Sequence, residues 1–479
     1  MMLQQFIRQA GTTAVAIMII TGLILTGCKK SVTVDAPGNS VSSETVYNED
    51  FTAASVLSGI YATMSNTFNA TGPTKIGLLA GLSADELSLF DISNNLYRNT
   101  YYNQLTPLPV SDGNRWINIY GLIYRCNVAI SGINASPSLS TAAKSQLLGE
   151  AKFCRAFFYF YLTNLYGDVP LALSTDYKVN STLSRSKSAD VYQQILTDLQ
   201  EAQASMGDNY VGNTGSGTSS ERVRPSKGSA TALLARTYLY LKDYANAEKQ
   251  STMLLDNKSL YDTVGTSQVF LKNSKETIWA LQPVIVGRNT DDALAYVLPA
   301  TGPSVTYPFY LNPFLTSAFE PGDKRKTSWV GTATAGGKTY NYAYKYKVNQ
   351  NGQAVTEYTM VLRLAEQYLI RAEARANQGN LAAALSDLNV IRKRAGLAPA
   401  VAASQPDILT AIAKERQVEL FTEWGHRWLD LKRTGKVNEV MTVVTPTKGP
   451  GTWKPEWQLY AVPNDEILLD NNLTQNPGY

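Results

Sequence analysis

Apolar residues recur every three or four positions in several stretches of this chain, and the predicted elements follow from that spacing. The densest stretch is Ala151–Leu171, AKFCRAFFYFYLTNLYGDVPL. Phe153, Phe157 and Phe160 share one helical face, and Phe158, Tyr161 and Leu165 fill the next. A helix that is apolar around nearly its whole circumference is a buried one. It should stop at Gly167-Asp168-Val169-Pro170, where Gly can take a left-handed cap and Pro cannot continue the helix. The stripe therefore reads as core packing rather than as a ligand shelf.

Helical spacing first appears at Asp50–Asn66, with Leu57, Ile60, Tyr61 and Met64 on one face. Residues 67–113 carry Gly, Pro and Asn at short intervals and read mostly as loop; they include GLSADELSLF and the aromatic run from Tyr97 to Tyr102. Helix returns at Arg115–Ile130, where Trp116 shares a core face with Ile119 and Ile123, and Asp190–Ser205 supplies an amphipathic partner. Residues 207–221 form a Gly/Ser-rich flexible loop.

Two later stretches match each other. Residues 230–255 and 367–391 superpose Ala235 on Ala372 and Ala247 on Ala384, with the short polar turns Lys242-Asp243 and Gly379-Asn380 between two helices. Small residues at fixed steps of a helix pair are the mark of a tetratricopeptide unit of about 34 residues. Between the copies, residues 256–357 are rich in Tyr, Gly and Pro, and Lys338–Val348 alternates. Short strands and long loops, carried as an insertion on a helical scaffold, are predicted there. A strong helix is expected at Asp407–Leu431, followed by a coil-rich end.

Composition narrows the function. The net charge is only +4 over 479 residues and the basic residues are scattered, so there is no electrostatic footprint for nucleic acid. The 28 Tyr and 7 Trp exceed what a core usually needs and point to surface contacts. At the N-terminus, Arg8 precedes the apolar run Ala14–Leu25, which is too short to span a bilayer and has the build of a secretory signal peptide. The run ends in Leu25-Thr26-Gly27-Cys28, which resembles the lipobox of bacterial lipoproteins and predicts cleavage before a lipidated Cys28. Acyl chains on one residue tether a protein without a spanning helix. Residues 1–27 are thus read as signal peptide, 28–49 as tether and 50–479 as one body. Within it the helical scaffold lies mainly at 50–66, 115–255 and 358–435. Cys126 and Cys154 lie in apolar helical patterns and are expected as two buried thiols.

Four stretches together carry a family resemblance: CRAFFYFYLTNLYGDVPL, RPSKGSATALLARTYLYLKDYANAE, KERQVELFTEWGHRWLDLKRTG and the ending LYAVPNDEILLDNNLTQNPGY. They resemble blocks of the SusD/RagB family of Bacteroidetes outer-membrane lipoproteins. The resemblance implies a mainly α fold, a right-handed superhelix of tetratricopeptide-like helix pairs, with a loop-rich, partly β insertion bearing the ligand face. It implies a surface-exposed lipoprotein that captures oligosaccharides, or peptides in one branch, and passes them to a SusC-like TonB-dependent transporter, with no enzymatic activity and no cofactor or metal. Two departures stand out. Ala461-Val462-Pro463 replaces the frequent Pro-Ile-Pro, and Lys29-Lys30 follow the anchor where an acidic export signal is common.

Several constellations invite other chemistry. Glu415, Arg416, Glu419, Glu423, Arg427, Asp430 and Arg433 space opposite charges three and four apart, which on one helix gives ion pairs. Read as acid and base, paired carboxylates would instead suggest an exported glycoside hydrolase. His426 is the only histidine, so a His-based metal site or triad has little to build on. Residues 331–339, GTATAGGKT, fall one position out of P-loop register and precede an alternating run rather than a helix. The aromatic surplus in the loop segments remains: Tyr97, Tyr101 and Tyr102 with Arg98 before the Trp116 helix, and Tyr307, Phe309, Tyr310 and Trp329 in the insertion. Flat rings beside polar groups match a sugar ring or an extended peptide, and the resemblance places family ligand sites in these two regions.

Overall fold

The computed structural model describes residues 43–65, 73–108 and 115–479. The predicted signal peptide, Cys28 and most of the tether lie outside them. The chain divides into Met1–Val46, of which Ser43–Val46 forms a helical turn, and Tyr47–Tyr479, to which everything below refers.

Helix α1 (Asp50–Met64) buries Ala53, Leu57, Ile60, Tyr61 and Met64, the predicted face. The segment expected to be loop after it instead contains α2 (Pro73–Ser83), strand β1 (Leu87–Leu89) and α3 (Asn95–Tyr101). Ile76, Leu78, Leu79 and Leu82 of α2 are all buried, so it faces neighbours on several sides and shows no single apolar stripe. Its Gly77 is a contact requirement: a Cβ there would sit 2.7 Å from the Thr422 carbonyl oxygen.

Helices α4 (Arg115–Ala135), α5 (Thr141–Tyr166) and α6 (Ser188–Ser205) pack with α5 in the middle. The Ser140 hydroxyl accepts from the Ala143 N–H at the start of α5, and Gly167 at φ 78° ends it. The short strands β2 (Val169–Pro170) and β3 (Arg185–Ser186) pair antiparallel between α5 and α6. Phe153, Phe157, Phe158, Phe160 and Tyr161 are at most 2% exposed, confirming the stripe as core. The Phe157 ring meets Tyr161 at 4.9 Å, Trp424 at 5.3 Å and Trp279 at 5.7 Å. Cys126 and Cys154 are free and buried, as expected.

The matching stretches form two helical hairpins, α7 (Lys227–Tyr240) with α8 (Tyr244–Asp256) and α11 (Leu364–Asn377) with α12 (Leu381–Arg394). Helix α8 of the first packs on α11 of the second. Ala235, Ala247, Ala372 and Ala384 are fully buried where the helices meet. Lys242 and Gly379 take positive φ in the connecting turns. Buried Arg236 grips Glu366 with two hydrogen bonds of 2.7 Å, tying α7 directly to α11.

The insertion holds β4 (Thr277–Leu281), α9 (Asp291–Tyr296), β5 (Phe309–Leu311), α10 (Lys324–Trp329), β6 (Val330–Ala335) and β7 (Lys338–Ala343). Strand β8 (Thr359–Arg363) leads into α11 and pairs antiparallel with β4, while β1 pairs with β5 and β6 with β7. Gly336 and Gly337, at φ 57° and 74°, close the β6–β7 hairpin. The P-loop look-alike is this turn.

The single helix expected at Asp407–Leu431 is two: α13 (Gln405–Glu419) and α14 (His426–Arg433). The chain breaks between them, with Thr422, Trp424 and Gly425 at positive φ. Tertiary partners hold the break. Lys345 donates to the carbonyls of Glu419 and Phe421, both at 2.8 Å, and Arg363 also donates to the Glu419 carbonyl. The Trp424 indole donates to the Met360 carbonyl at 2.8 Å. Helix α15 (Val437–Lys448) and the short α16 (Asn464–Leu469) complete the chain.

Candidate binding face

The two aromatic loop regions meet through the β1–β5 ladder, which sets Leu87 opposite Leu311, Ser88 opposite Tyr310 and Leu89 opposite Phe309. Side chains alternate along a strand, so Phe309 turns into the core, 6% exposed, while Tyr310 lies on the other side. The ladder continues as the Phe90 N–H donates to the Pro308 carbonyl at 2.8 Å. Tyr97 packs edge-on against Phe309 at 4.9 Å. Gly302, at φ 82°, lets the loop carrying Tyr307 lie against the hairpin: a Cβ there would meet the Ala335 Cβ at 2.7 Å.

An aromatic group forms where these parts converge. The Phe90 ring, 48% exposed, stands edge-on to Tyr340 at 6.3 Å, and Tyr340 meets Tyr310 at 5.2 Å and 87°. The Lys338 ammonium lies 5.0 Å from the Tyr340 ring and 5.9 Å from Tyr310. Arg98, on α3, donates to the Ile92 carbonyl at 3.4 Å. The result is ring surface with one cationic donor, Lys338, at its edge.

Of the residues predicted from sequence, Tyr97, Arg98, Tyr102, Tyr307 and Tyr310 are partly exposed. Three are not. Trp329 is 1% exposed, its indole donates to the Thr266 carbonyl at 2.8 Å, and Phe270 and Lys345 cover it at 5.3 and 5.1 Å. Phe309 and Tyr101 belong to the same core. These three support the face from below, which corrects their reading as ligand platforms. Phe90, Lys338 and Tyr340 were missed. Tyr340 sits in the alternating run, but nothing in GLSADELSLF distinguishes Phe90.

Beneath the face the charges are buried. Burial and the neighbouring Asp85 push the Glu86 carboxyl up to about 8, and burial with the adjacent Asp291 pushes Asp292 up to about 8. Burial lowers Lys345 to about 8 although it donates to Glu423 at 2.5 Å. The C-terminal charged block is committed to ion pairs, but mostly between elements rather than along one helix. Arg363 binds Glu419 at 2.6 Å and Glu423 at 2.7 Å, Arg325 binds Glu415 at 2.6 Å, Arg416 binds Asp430 at 2.7 Å and Arg427 binds Asp85 at 2.7 Å. Arg394 and the other guanidinium groups hold Glu419 well below the usual carboxylate range despite its burial. A carboxylate so paired has no proton to give at neutral pH. Burial, with Arg236 and Arg416 nearby, keeps His426 neutral. Among the described residues no His/Cys/Asp/Glu group could hold a metal ion, and no helix is long and apolar enough to cross a membrane.

The described residues thus give a helical scaffold with partly exposed rings beside a cation and a carboxylate block locked in salt bridges. Comparison with known proteins gives the family. A family model described as "Starch-binding associating with outer membrane" matches residues 40–239, and the SusD family model matches residues 315–479. SusD-like protein P2 of Formosa agariphila is 26% identical, covering 96% of this chain and 98% of its own. Starch-binding protein SusD of Bacteroides thetaiotaomicron is 22% identical over 72% of this chain and 75% of its own. Among solved structures, a SusD superfamily protein from Bacteroides vulgatus superposes with a TM-score of 0.77 at 21% identity, covering 91% of this chain and all of that one. A laminarin-binding SusD-like protein superposes with a TM-score of 0.74 at 23% identity, covering 90% of this chain and all of that one. The chain belongs to the SusD/RagB family, whose members are outer-membrane-associated carbohydrate-binding proteins.

Proposed function

We propose that this protein is a surface lipoprotein, anchored through Cys28, that binds an oligosaccharide on the face around Phe90, Tyr310 and Tyr340 and passes it to a SusC-like TonB-dependent transporter. The ring group edged by Lys338 carries the reading. Ring faces stack on the C–H face of a sugar while the cation and nearby loop amides donate to its hydroxyls. Family membership and the laminarin-binding structural relative support the ligand class. The same family supports the transporter as partner. No acid–base role is assigned, because Glu415, Glu419 and Glu423 are consumed by arginine and lysine.

Affinity electrophoresis of the full-length protein in detergent, against laminarin, soluble starch and a random peptide mixture, tests it. Retardation by a polysaccharide, weakened about ten-fold in Tyr340→Ala by loss of one stacking ring, is expected. Binding of peptides and of no polysaccharide would move the protein to the peptide branch. Release of reducing sugar from any bound glycan would make it an enzyme and sink the proposal.

A further inference from the structure

We infer that the ring group around Tyr310 prefers glycans carrying an acidic unit, a carboxylate or a sulfate ester, and that Lys338 reads the negative charge. The acidic class rests on the oligosaccharide reading above and narrows it.

The sequence sets the charge balance. Phe90, Tyr310, Tyr340 and Lys338 lie in three segments, residues 90–108, 298–312 and 330–344. The first carries Asp91 and Arg98, the second has no charged residue and the third has Lys338 alone. Asp91 spends both oxygens on its own turn, accepting from the Ser93 N–H at 3.1 Å and from the Ser93 hydroxyl at 2.7 Å. Arg98 supplies the opposite charge on the same segment. Lys338 is left uncompensated, with no carboxylate partner among the described residues. The acids below the face add no free negative charge at neutral pH. Asp85 is paired with Arg427, and burial keeps Glu86 and Asp292 mostly protonated.

Local structure holds the ammonium in place. Gly336 and Gly337 close a two-residue turn, so Lys338 is the first residue of β7 and stands opposite Ala335. Opposite residues share a face of the ladder, and Tyr340, two positions on, lies on that face as well. The ammonium rests 5.0 Å from the Tyr340 ring and 5.9 Å from the Tyr310 ring. Contact with two rings restricts where it can sit and leaves its N–H donors to a ligand.

The rings donate too. Neither the Tyr310 nor the Tyr340 hydroxyl makes a hydrogen bond among the described residues. Ring surface is thus edged by an ammonium and two phenols, with no carboxylate among them. The hydroxyls of a neutral sugar ask for acceptors as well as donors. A carboxylate or sulfate on a sugar instead offers several acceptor oxygens and the countercharge that Lys338 lacks.

Matched ligands isolate the charge. Full-length protein in detergent, at low salt, is titrated calorimetrically with laminarin and soluble starch, each in native, carboxymethylated and sulfated form. For the backbone that binds, a charged form should bind about five-fold tighter than the neutral one, the worth of one exposed charge pair. Which charged form wins distinguishes carboxylate from sulfate. That ratio should fall to about one in roughly 0.5 M salt and to about one in Lys338→Gln, while Lys338→Arg keeps it. Lys338 is exposed, so both variants should melt as wild type does. A neutral form that binds as tightly as its charged forms, or a ratio that Lys338→Gln leaves unchanged, overturns the acidic-unit assignment and leaves the oligosaccharide reading standing. Binding of no form of either glycan overturns both, and binding of tetraglutamate in that case would give the face to an acidic peptide.

Discussion

Phe157→Ala separates scaffold from binding surface. The ring is 1% exposed and has five aromatic neighbours, of which Phe158, Trp279 and Trp424 meet it edge-on. Truncating a buried Phe costs about 3–5 kcal/mol, and edge-on pairs add roughly 0.5–1.5 kcal/mol each beyond area, which puts this site at the upper end. Trp279 and Trp424 come from a strand and from the break between α13 and α14, so the cavity lies where three elements join and cannot collapse along one helix. The body Tyr47–Tyr479 unfolds with an entropy of roughly 0.9 kcal/mol per degree, taking about 2.1 cal/mol/K per residue. A loss near 5 kcal/mol therefore lowers Tm by about 5 °C. Scanning calorimetry reads the shift, and affinity electrophoresis at 20 °C should show unchanged glycan retardation. Wild-type melting with lost retardation would place the ring in the binding site and refute the reasoning.

Other outcomes follow from the charges and the anchor. Arg363→Met removes the shared partner of Glu419 and Glu423 and should cost about 3–5 kcal/mol, read by denaturant unfolding, because the carboxylates stay buried; a change under 1 kcal/mol would show the network to be dispensable. Glu86 and Asp292 titrate near 8 in the fold and near 4 unfolded, so the stability they contribute is intact below about pH 4 and drains as pH rises to about 8. Asp292→Asn should flatten that decline in a pH series of melts, and an unchanged slope would remove Asp292 as its source. The opposite loss at acid pH comes from Glu320, held at about 2 by Arg392. Cys28→Ala should move the protein from the membrane fraction to the soluble one, and membrane retention after signal cleavage would refute the lipid anchor.

The elements legible in the sequence are those whose burial has one period. The aromatic stripe of α5 and the small residues of the two hairpins declare themselves because each helix meets its neighbours along fixed faces. The ladder of Lys338–Ala343 likewise shows in its alternation. Helix α2 was missed because Gly77 and Gly81 mimic a loop, whereas Gly77 is there for the Thr422 carbonyl. The break after Glu419 was missed because its donors, Lys345 and Arg363, lie more than fifty residues upstream. The candidate face was half legible for the same reason. Aromatic residues in loops can be counted, but whether a ring faces out depends on pairing. Phe309 and Tyr310 are adjacent in sequence and opposite in exposure because strand β5 has a partner.

That partner is distant in the chain. Leu87 and Leu311 are ladder partners more than two hundred positions apart, and closing so long a loop is slow relative to forming helical hairpins. The ring group around Tyr310 therefore depends on two distant parts of the chain meeting, and its completeness reports on the whole body rather than on any one piece. A fragment spanning residues 40–239 would carry Phe90 but neither Tyr310 nor Tyr340, and would hold only one edge of the group.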